Sequence, residues 1–413
     1  MMKTQIADFK FVDLFRTTTF AGWILLSRPI IYLIFSRRRD LNAYATVDTS
    51  AFVFILYSIL AFYVGYRTIL RSDNLFGRHV LFRSPLILFI IYSILGIVSM
   101  AWSVSPTLSG FRAFECIAMA LLIVAVIQQL FETSCPKYIF LWSLFYCVWD
   151  IGWSIIRTSQ WSTSLSSILE SSQMMSTTFF FMALYFVPRR WYNYLILVMS
   201  VFSMSTVAYL GMGIGAISAF WTQGRVKTLT LFATLLLTMA VVFIGPYAFL
   251  KNTIFFDKKE ISIEETSGRN HLLDATVDCV DNYPFGLGFF AAEPYVLYAK
   301  NLGAISAHNS LFSAGMGLGI PGIIIFALFL LSLGYCTFSK YISAEYKPII
   351  IGCFCVAFMQ CMGNPSVGTR VFGAWMPCMY IFVLISAFYV YSKYYESNEL
   401  ESDENNMGDK EFS

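Results

Sequence analysis

Apolar runs of about twenty residues, divided by short polar breaks, recur along most of this chain, and each is long enough to cross a bilayer as a helix. The runs predict spans over 18–36, 51–70, 85–102, 113–131, 137–156, 172–187, 191–205, 206–221, 228–248, 310–337, 347–364 and 372–392. The stretch 191–221 reads either as one long tilted helix or as two short ones broken at Ser203, Ser205 and Thr206. Two would bring the total to about twelve spans and return both termini to one side. The predicted fold class is all-α, a polytopic helical membrane protein.

One long polar interval, 251–309, precedes the tenth span. The chain therefore divides into spans 1–9 over 1–250, this large loop, spans 10–12 over 310–392, and an acidic tail over 393–413 whose composition predicts disorder. A long loop with apolar patterning inside such a protein is the place to look for function. Residues 270–282 have helical periodicity, with Leu272, Leu273, Thr276, Val277 and Val280 predicted on one face and His271, Asp274, Asp278 and Asp281 on the other. Ser267 is a candidate N-cap, which places Arg269 in the first turn.

Composition agrees with the pattern. A soluble chain carries roughly 25% charged residues; here 13% are charged, 57% are hydrophobic and mean hydropathy is +0.65. The net charge of +3 is too small to imply a nucleic-acid partner. Most of the nine cysteines fall in apolar runs, where a thiol behaves as a small hydrophobe. No CxxC pair occurs and the three histidines are scattered, so neither a disulfide framework nor a metal site is predicted.

Lys and Arg concentrate in cytoplasmic loops. With the N terminus inside, that side receives Lys3, Lys10, Arg16, Arg67, Arg71, Arg78, Arg83, Arg189, Arg190, Arg225, Lys227, Lys340 and Lys347. The short external loops then keep Arg112, Arg157, Arg370 and the run Arg37–Arg39, which opposes the rule. The balance favours both termini inside and the 251–309 loop outside.

The loop carries the candidate chemistry. A helix N-terminus exposes unpaired N–H groups that favour anions, and an arginine there adds a two-pronged donor for phosphate oxygens. Arg269 is thus either part of a diphosphate clamp or the partner of Glu264, Glu265 or Asp274 on a solvated helix. His308 lies at the mouth of the span that follows, and is either a proton acceptor or a cap; Asn309 would orient it or a substrate. Pro284-Phe285-Gly286-Leu287-Gly288 reads as a turn followed by close backbone approach. Gly315 and Gly319 read as helix-packing positions. Asp150, late in the fifth span, is predicted to pair with Arg157 or a backbone group.

These pieces, in order, resemble the O-antigen ligase and polymerase family, which includes exopolysaccharide polymerases. The resemblance rests on Trp102-Ser103-Val104-Ser105-Pro106 followed by Arg112, on Ser267-Gly268-Arg269, on the Pro284–Gly288 turn, and on His308-Asn309 before a Gly-rich span. It implies metal- and cofactor-free glycan transfer on the outer face of the bacterial inner membrane. The implied donor is a polyprenyl-diphosphate-linked glycan and the acceptor a sugar hydroxyl or a lipid. Arg269 and His308 match the positions for diphosphate binding and acceptor activation, with Asn309, Arg112 and Arg370 as substrate-binding candidates. The family's further arginine after a serine has no counterpart in Met204-Ser205-Thr206-Val207-Ala208-Tyr209, so Arg112, Arg157 or Arg370 must replace it or the mechanism differs. Polymerase, ligase and a transporter without chemistry stay open. Polar features gathered in one loop and its neighbouring helix favour an enzyme over a transporter, which tends to show matched broken spans in two halves.

Overall fold

The computed structural model describes residues 18–35, 49–71, 73, 75–134, 136–161, 269–300, 309–363 and 375–396, with scattered positions between 211 and 224. Every regular element among them is helical. In chain order these are α1 (Phe20–Phe35), α2 (Thr49–Arg71), α3 (Phe76–Phe82), α4 (Leu86–Val98), α5 (Pro106–Thr133), α6 (Pro136–Trp161), α7 (Arg269–Asn282), α8 (Ala292–Ala299), α9 (Ser310–Phe338), α10 (Lys347–Gly363) and α11 (Trp375–Tyr391). A single 3-10 turn, Ser99–Ala101, follows α4, and a π turn, Ser392–Glu396, follows α11.

Four described helices are long and apolar enough to cross a membrane: Ala51–Arg71, Pro106–Thr133, Ser310–Phe338 and Met376–Tyr394. The pair Phe76–Phe82 and Leu86–Ala101, bent by 64°, makes a fifth if it is one span. The bend falls at Ser84-Pro85, where proline cannot continue the hydrogen-bond ladder. Shorter apolar helices at Phe20–Phe35, Tyr138–Asp150 and Lys347–Met362 coincide with further predicted spans. The spans predicted at 172–187, 191–205 and 228–248, and most of 206–221, lie outside the described residues.

Helix α5 is the hub. It packs against α1, α2, α3, α4, α6 and α11, and small buried residues at Ala113, Ala118, Ala120 and Ala125 let those neighbours approach. At Gly65 of α2 the two backbones come close, and a Cβ would stand 2.7 Å from the Leu121 carbonyl carbon. Between α4, α9 and α11 the core is aromatic, with Tyr92 5.4 Å from Phe326 and Phe329 5.6 Å from Phe382, centroid to centroid.

The bundle has two unlike ends. At the start of α4, Arg83 lies 5.6 Å above the Tyr394 ring and Lys393 lies 5.5 Å from the Tyr341 ring. Nearby, Arg78 donates to the Leu70 carbonyl and Lys347 to that of Ser339. At the other end of α4 stand Trp102 and the loop helices α7 and α8. Helix α9 runs back from the loop end to the basic end. The greater share of the described Lys and Arg lies at the first of these ends, the bias expected of a bundle that crosses a membrane.

Candidate functional site

Helix α9 is interrupted at Gly319, whose φ of 64° and ψ of −150° are not helical, and Pro321 follows two residues later. The sequence reading of Gly319 as a packing position is corrected: it is the break itself. Helical i→i+4 bonding would join Ile320 N–H to the Met316 carbonyl, and the Gly317 carbonyl would need an N–H that Pro321 lacks. A membrane interior offers no water to satisfy such groups, and each left bare costs several kcal/mol. The Pro284–Gly288 turn supplies the partners. Ile320 N donates to the Pro284 carbonyl at 2.9 Å, Leu287 N to that of Met316 at 3.0 Å, and Gly288 N to that of Gly317 at 2.9 Å. The loop is thereby clamped into the span.

The clamp explains the glycines around it. Gly286 and Gly288 have φ of 73° and 108°. A Cβ at Gly286 would stand 2.4 Å from the Gly317 oxygen, and one at Gly288 2.0 Å from Ser103 Oγ. The other side of the turn rests on the Trp102–Pro106 segment. Trp102 Nε1 donates to the Phe285 carbonyl at 3.0 Å, and Val104 N to that of Leu287 at 2.9 Å. Ser109 Oγ donates to the Phe289 carbonyl at 2.7 Å while Phe289 N donates to Ser99 Oγ at 3.1 Å. Motifs nearly two hundred residues apart thus form one hydrogen-bonded unit.

Helices α7 and α8 seat on α9 beside the clamp. The buried stripe of α7 is Leu272, Ala275, Thr276 and Cys279, whereas Leu273 and Val277 are exposed. The predicted apolar face is therefore rotated, because Ala275 and Cys279 are small enough to admit Met316 of α9. His271, Asp274, Asp278 and Asp281 face solvent as predicted, and Asp278 is paired with Lys300. Burial pushes the Cys279 thiol up to about 11. From α8, the buried carboxylate of Glu293 accepts a 2.9 Å hydrogen bond from Ser313 of α9. That contact was not anticipated from the sequence.

Arg112 is not in a loop as predicted. Pro106 sits at the first helical position, where its missing N–H costs nothing, so α5 begins early and Arg112 lies in its second turn, nearly enclosed. Its Nη1 meets Glu115 Oε2 at 2.6 Å. The other oxygen of Glu115 lies 3.7 Å from Arg28 Nη2 of α1 and accepts from Tyr32 Oη at 3.4 Å. Asp150 of α6 is buried; the side chain of Arg157, its predicted partner, lies outside the described residues. The sequence signal for this network was present in Glu115, an acid inside an otherwise apolar run.

The remaining predicted residues divide. Asn309 is the N-cap of α9: its Oδ1 accepts from Leu311 N at 2.8 Å and Phe312 N at 3.4 Å, and its Nδ2 donates to the Met362 carbonyl at 3.1 Å. The capping role considered for the histidine is thus filled by its neighbour. Arg269 is the first residue of α7, at the predicted N-terminal position, and its side chain lies outside what is described. His308 and Arg370 also lie outside the described residues.

Fold and site together define a multi-pass helical membrane protein with a hydrogen-bonded loop platform at one end. The family model described as O-Antigen ligase matches residues 191–327, which include α7, α8, the clamp and the break in α9. The match supports the O-antigen ligase/polymerase family indicated by the order of the motifs. The Trp102–Pro106 segment and Arg112 lie before the matched stretch, although in three dimensions they support it. No curated protein matches the chain.

Proposed function

We propose that the chain is a membrane glycosyltransferase that moves glycan from a polyprenyl-diphosphate carrier to a sugar hydroxyl in surface-polysaccharide synthesis. Chain elongation by a polymerase is the favoured form, and transfer of finished glycan to a lipid or protein acceptor the alternative. The observation that carries this reading is that the Trp102–Pro106 element and the Pro284–Gly288 turn are hydrogen-bonded together, with α7 packed beside them on α9, whose first turn Asn309 caps, at the bundle end opposite the basic cluster. By the positive-inside rule that end is extracytoplasmic, where lipid-linked glycans are assembled on the inner membrane's outer face. A transporter would use a broken span to line a path. Here the break in α9 is filled by the loop.

The reaction balances without a metal or cofactor. The acceptor hydroxyl oxygen bonds to the anomeric carbon while that carbon's bond to the diphosphate oxygen breaks. His308 takes the hydroxyl proton, and the electron pair leaves on the diphosphate. Arg269, with Arg112 and Arg370, stabilises that growing charge. Asn309 contributes by fixing where α9 begins.

Deletion followed by glycan electrophoresis tests the reading. A single repeat unit on the surface lipid identifies a polymerase; loss of all repeats with carrier-linked polymer retained identifies a ligase. An unchanged glycan profile would reject glycan transfer. In a cysteine-free background, an impermeant thiol reagent should label a probe at position 260 and spare one at 405; the reverse would place the site on the wrong side.

A further inference from the structure

Arg112 is held by its own helix, where the Phe111 ring centre lies 5.4 Å from the guanidinium carbon, and by the loop. One helical turn along α5, Glu115 Oε2 meets its Nη1 at 2.6 Å. From the loop, the Phe290 ring lies with its centre 5.1 Å from the guanidinium carbon. Among the described residues Phe290 alone combines a side chain with a left-handed backbone, at φ 62°. That conformation is costly for any residue with a Cβ and free for glycine.

Strain of this kind persists only where the surroundings impose it, and it collects at functional sites. The surroundings here are explicit. Phe289 is fixed on both sides by Ser99 and Ser109, and Ala291 N turns back onto the Phe289 carbonyl at 2.7 Å. The forced turn carries the Phe290 ring over α5. Glycine would satisfy this backbone better, so the backbone does not account for phenylalanine; the ring does.

We infer that Phe290 is a positioning residue for Arg112: its ring, together with the Glu115 carboxylate, sets the plane of the guanidinium that meets the carrier's diphosphate. This rests on the reading of Arg112 as a substrate-binding residue. A planar, forked donor binds phosphate oxygens well only when its plane is correctly turned, and a side chain already held in place loses less freedom on binding. The loop clamp thereby acts on the arginine of a different helix.

The test uses the full-length protein in lipid nanodiscs, titrated with undecaprenyl diphosphate by native mass spectrometry, alongside thermal unfolding. Phe290→Gly relieves the strain but also removes a ring packed on the core, so its Tm is read to show that the protein still folds, while affinity should fall roughly tenfold. Phe290→Tyr keeps the ring and should bind as the wild type does. Because Phe290 acts through Arg112, the double variant Phe290→Gly/Arg112→Ala should bind no more weakly than Arg112→Ala alone.

Full affinity in Phe290→Gly, a tyrosine variant as weak as the glycine one, or additive losses would each overturn the inference while leaving glycan transfer intact. Wild-type binding by Arg112→Ala would instead remove the role of Arg112 itself, and that of Phe290 with it. No binding of the diphosphate by the wild type would overturn both this inference and the proposed function.

Discussion

At the basic end of the bundle, Arg83 lies over the Tyr394 ring and is open to its surroundings. At the loop end, Arg28 and Arg112 retain only 5% and 14% of their side-chain exposure and share one carboxylate, Glu115. Both arrangements stabilise arginine beside a hydrocarbon medium, by different physics. An exposed cation on an aromatic face contributes about 0.5–1 kcal/mol and keeps its hydration. An enclosed ion pair gives up hydration, so it is tolerated only while every partner is present. The basic end therefore anchors and orients the bundle, whereas the loop end commits charge to one arrangement.

The largest effect should come from the chemistry of the loop end. His308→Ala should lower glycan transfer by roughly 10²–10⁴-fold with carrier binding retained, measured with purified protein and lipid-linked donor. A variant that transfers normally would leave only a phosphate-binding platform there.

Next in size, Glu115→Ala should destabilise the fold by about 3–5 kcal/mol, since it leaves two enclosed arginines without their carboxylate. Arg83→Ala should cost no more than about 1 kcal/mol. Detergent-solubilised thermal unfolding measures both, and equal losses would erase the distinction between the two ends.

Arg269→Lys keeps the charge of the diphosphate clamp but not its forked geometry. Loss of a charge-assisted bond costs about 1.5–3 kcal/mol, so donor binding should weaken roughly 10- to 150-fold; a stable Arg269→Ala protein with full activity would exclude the clamp role.

Smaller still, Gly288→Ala should loosen the loop by about 1–3 kcal/mol through backbone strain, because its Cβ would strike Ser103. Cys279 reports on this. Its thiol is buried and raised to about 11, so little thiolate exists at pH 8 and alkylation should be slow, rising toward pH 11. Gly288→Ala should speed alkylation at pH 8 by exposing the thiol and restoring its ordinary acidity. Unchanged alkylation would mean that the turn does not hold α7 against α9.

The described spans were legible from the chain, and so were the turn and the helix opening at Arg269. Others were misplaced for identifiable reasons. Arg112 was assigned to a loop because the apolar run starts at Ala113, whereas Pro106 starts the helix about two turns earlier. The face of α7 was drawn through Leu273 and Val277 because they are the more apolar side chains; the structure buries Ala275 and Cys279 instead, because close approach to α9 requires small ones. Glu293 was passed over as one more loop acid, and only its contact with Ser313 distinguishes it.

Among the described residues, the chain by itself determined where the long apolar helices run and where most Lys and Arg gather. A helix in hydrocarbon satisfies its backbone within four residues, so length and polarity along the chain suffice to specify it. Tertiary structure alone decided what fills the break at Gly319, which carboxylate holds Arg28, and why Phe290 accepts a left-handed backbone. In each case the decisive group comes from another helix or from the loop: Pro284 and Leu287 for the break, Glu115 for Arg28, Ser99 and Ser109 for the strained turn. Hydrogen bonds and ion pairs between distant segments leave no periodicity in a sequence, because their strength depends on distances that exist only once the helices have packed.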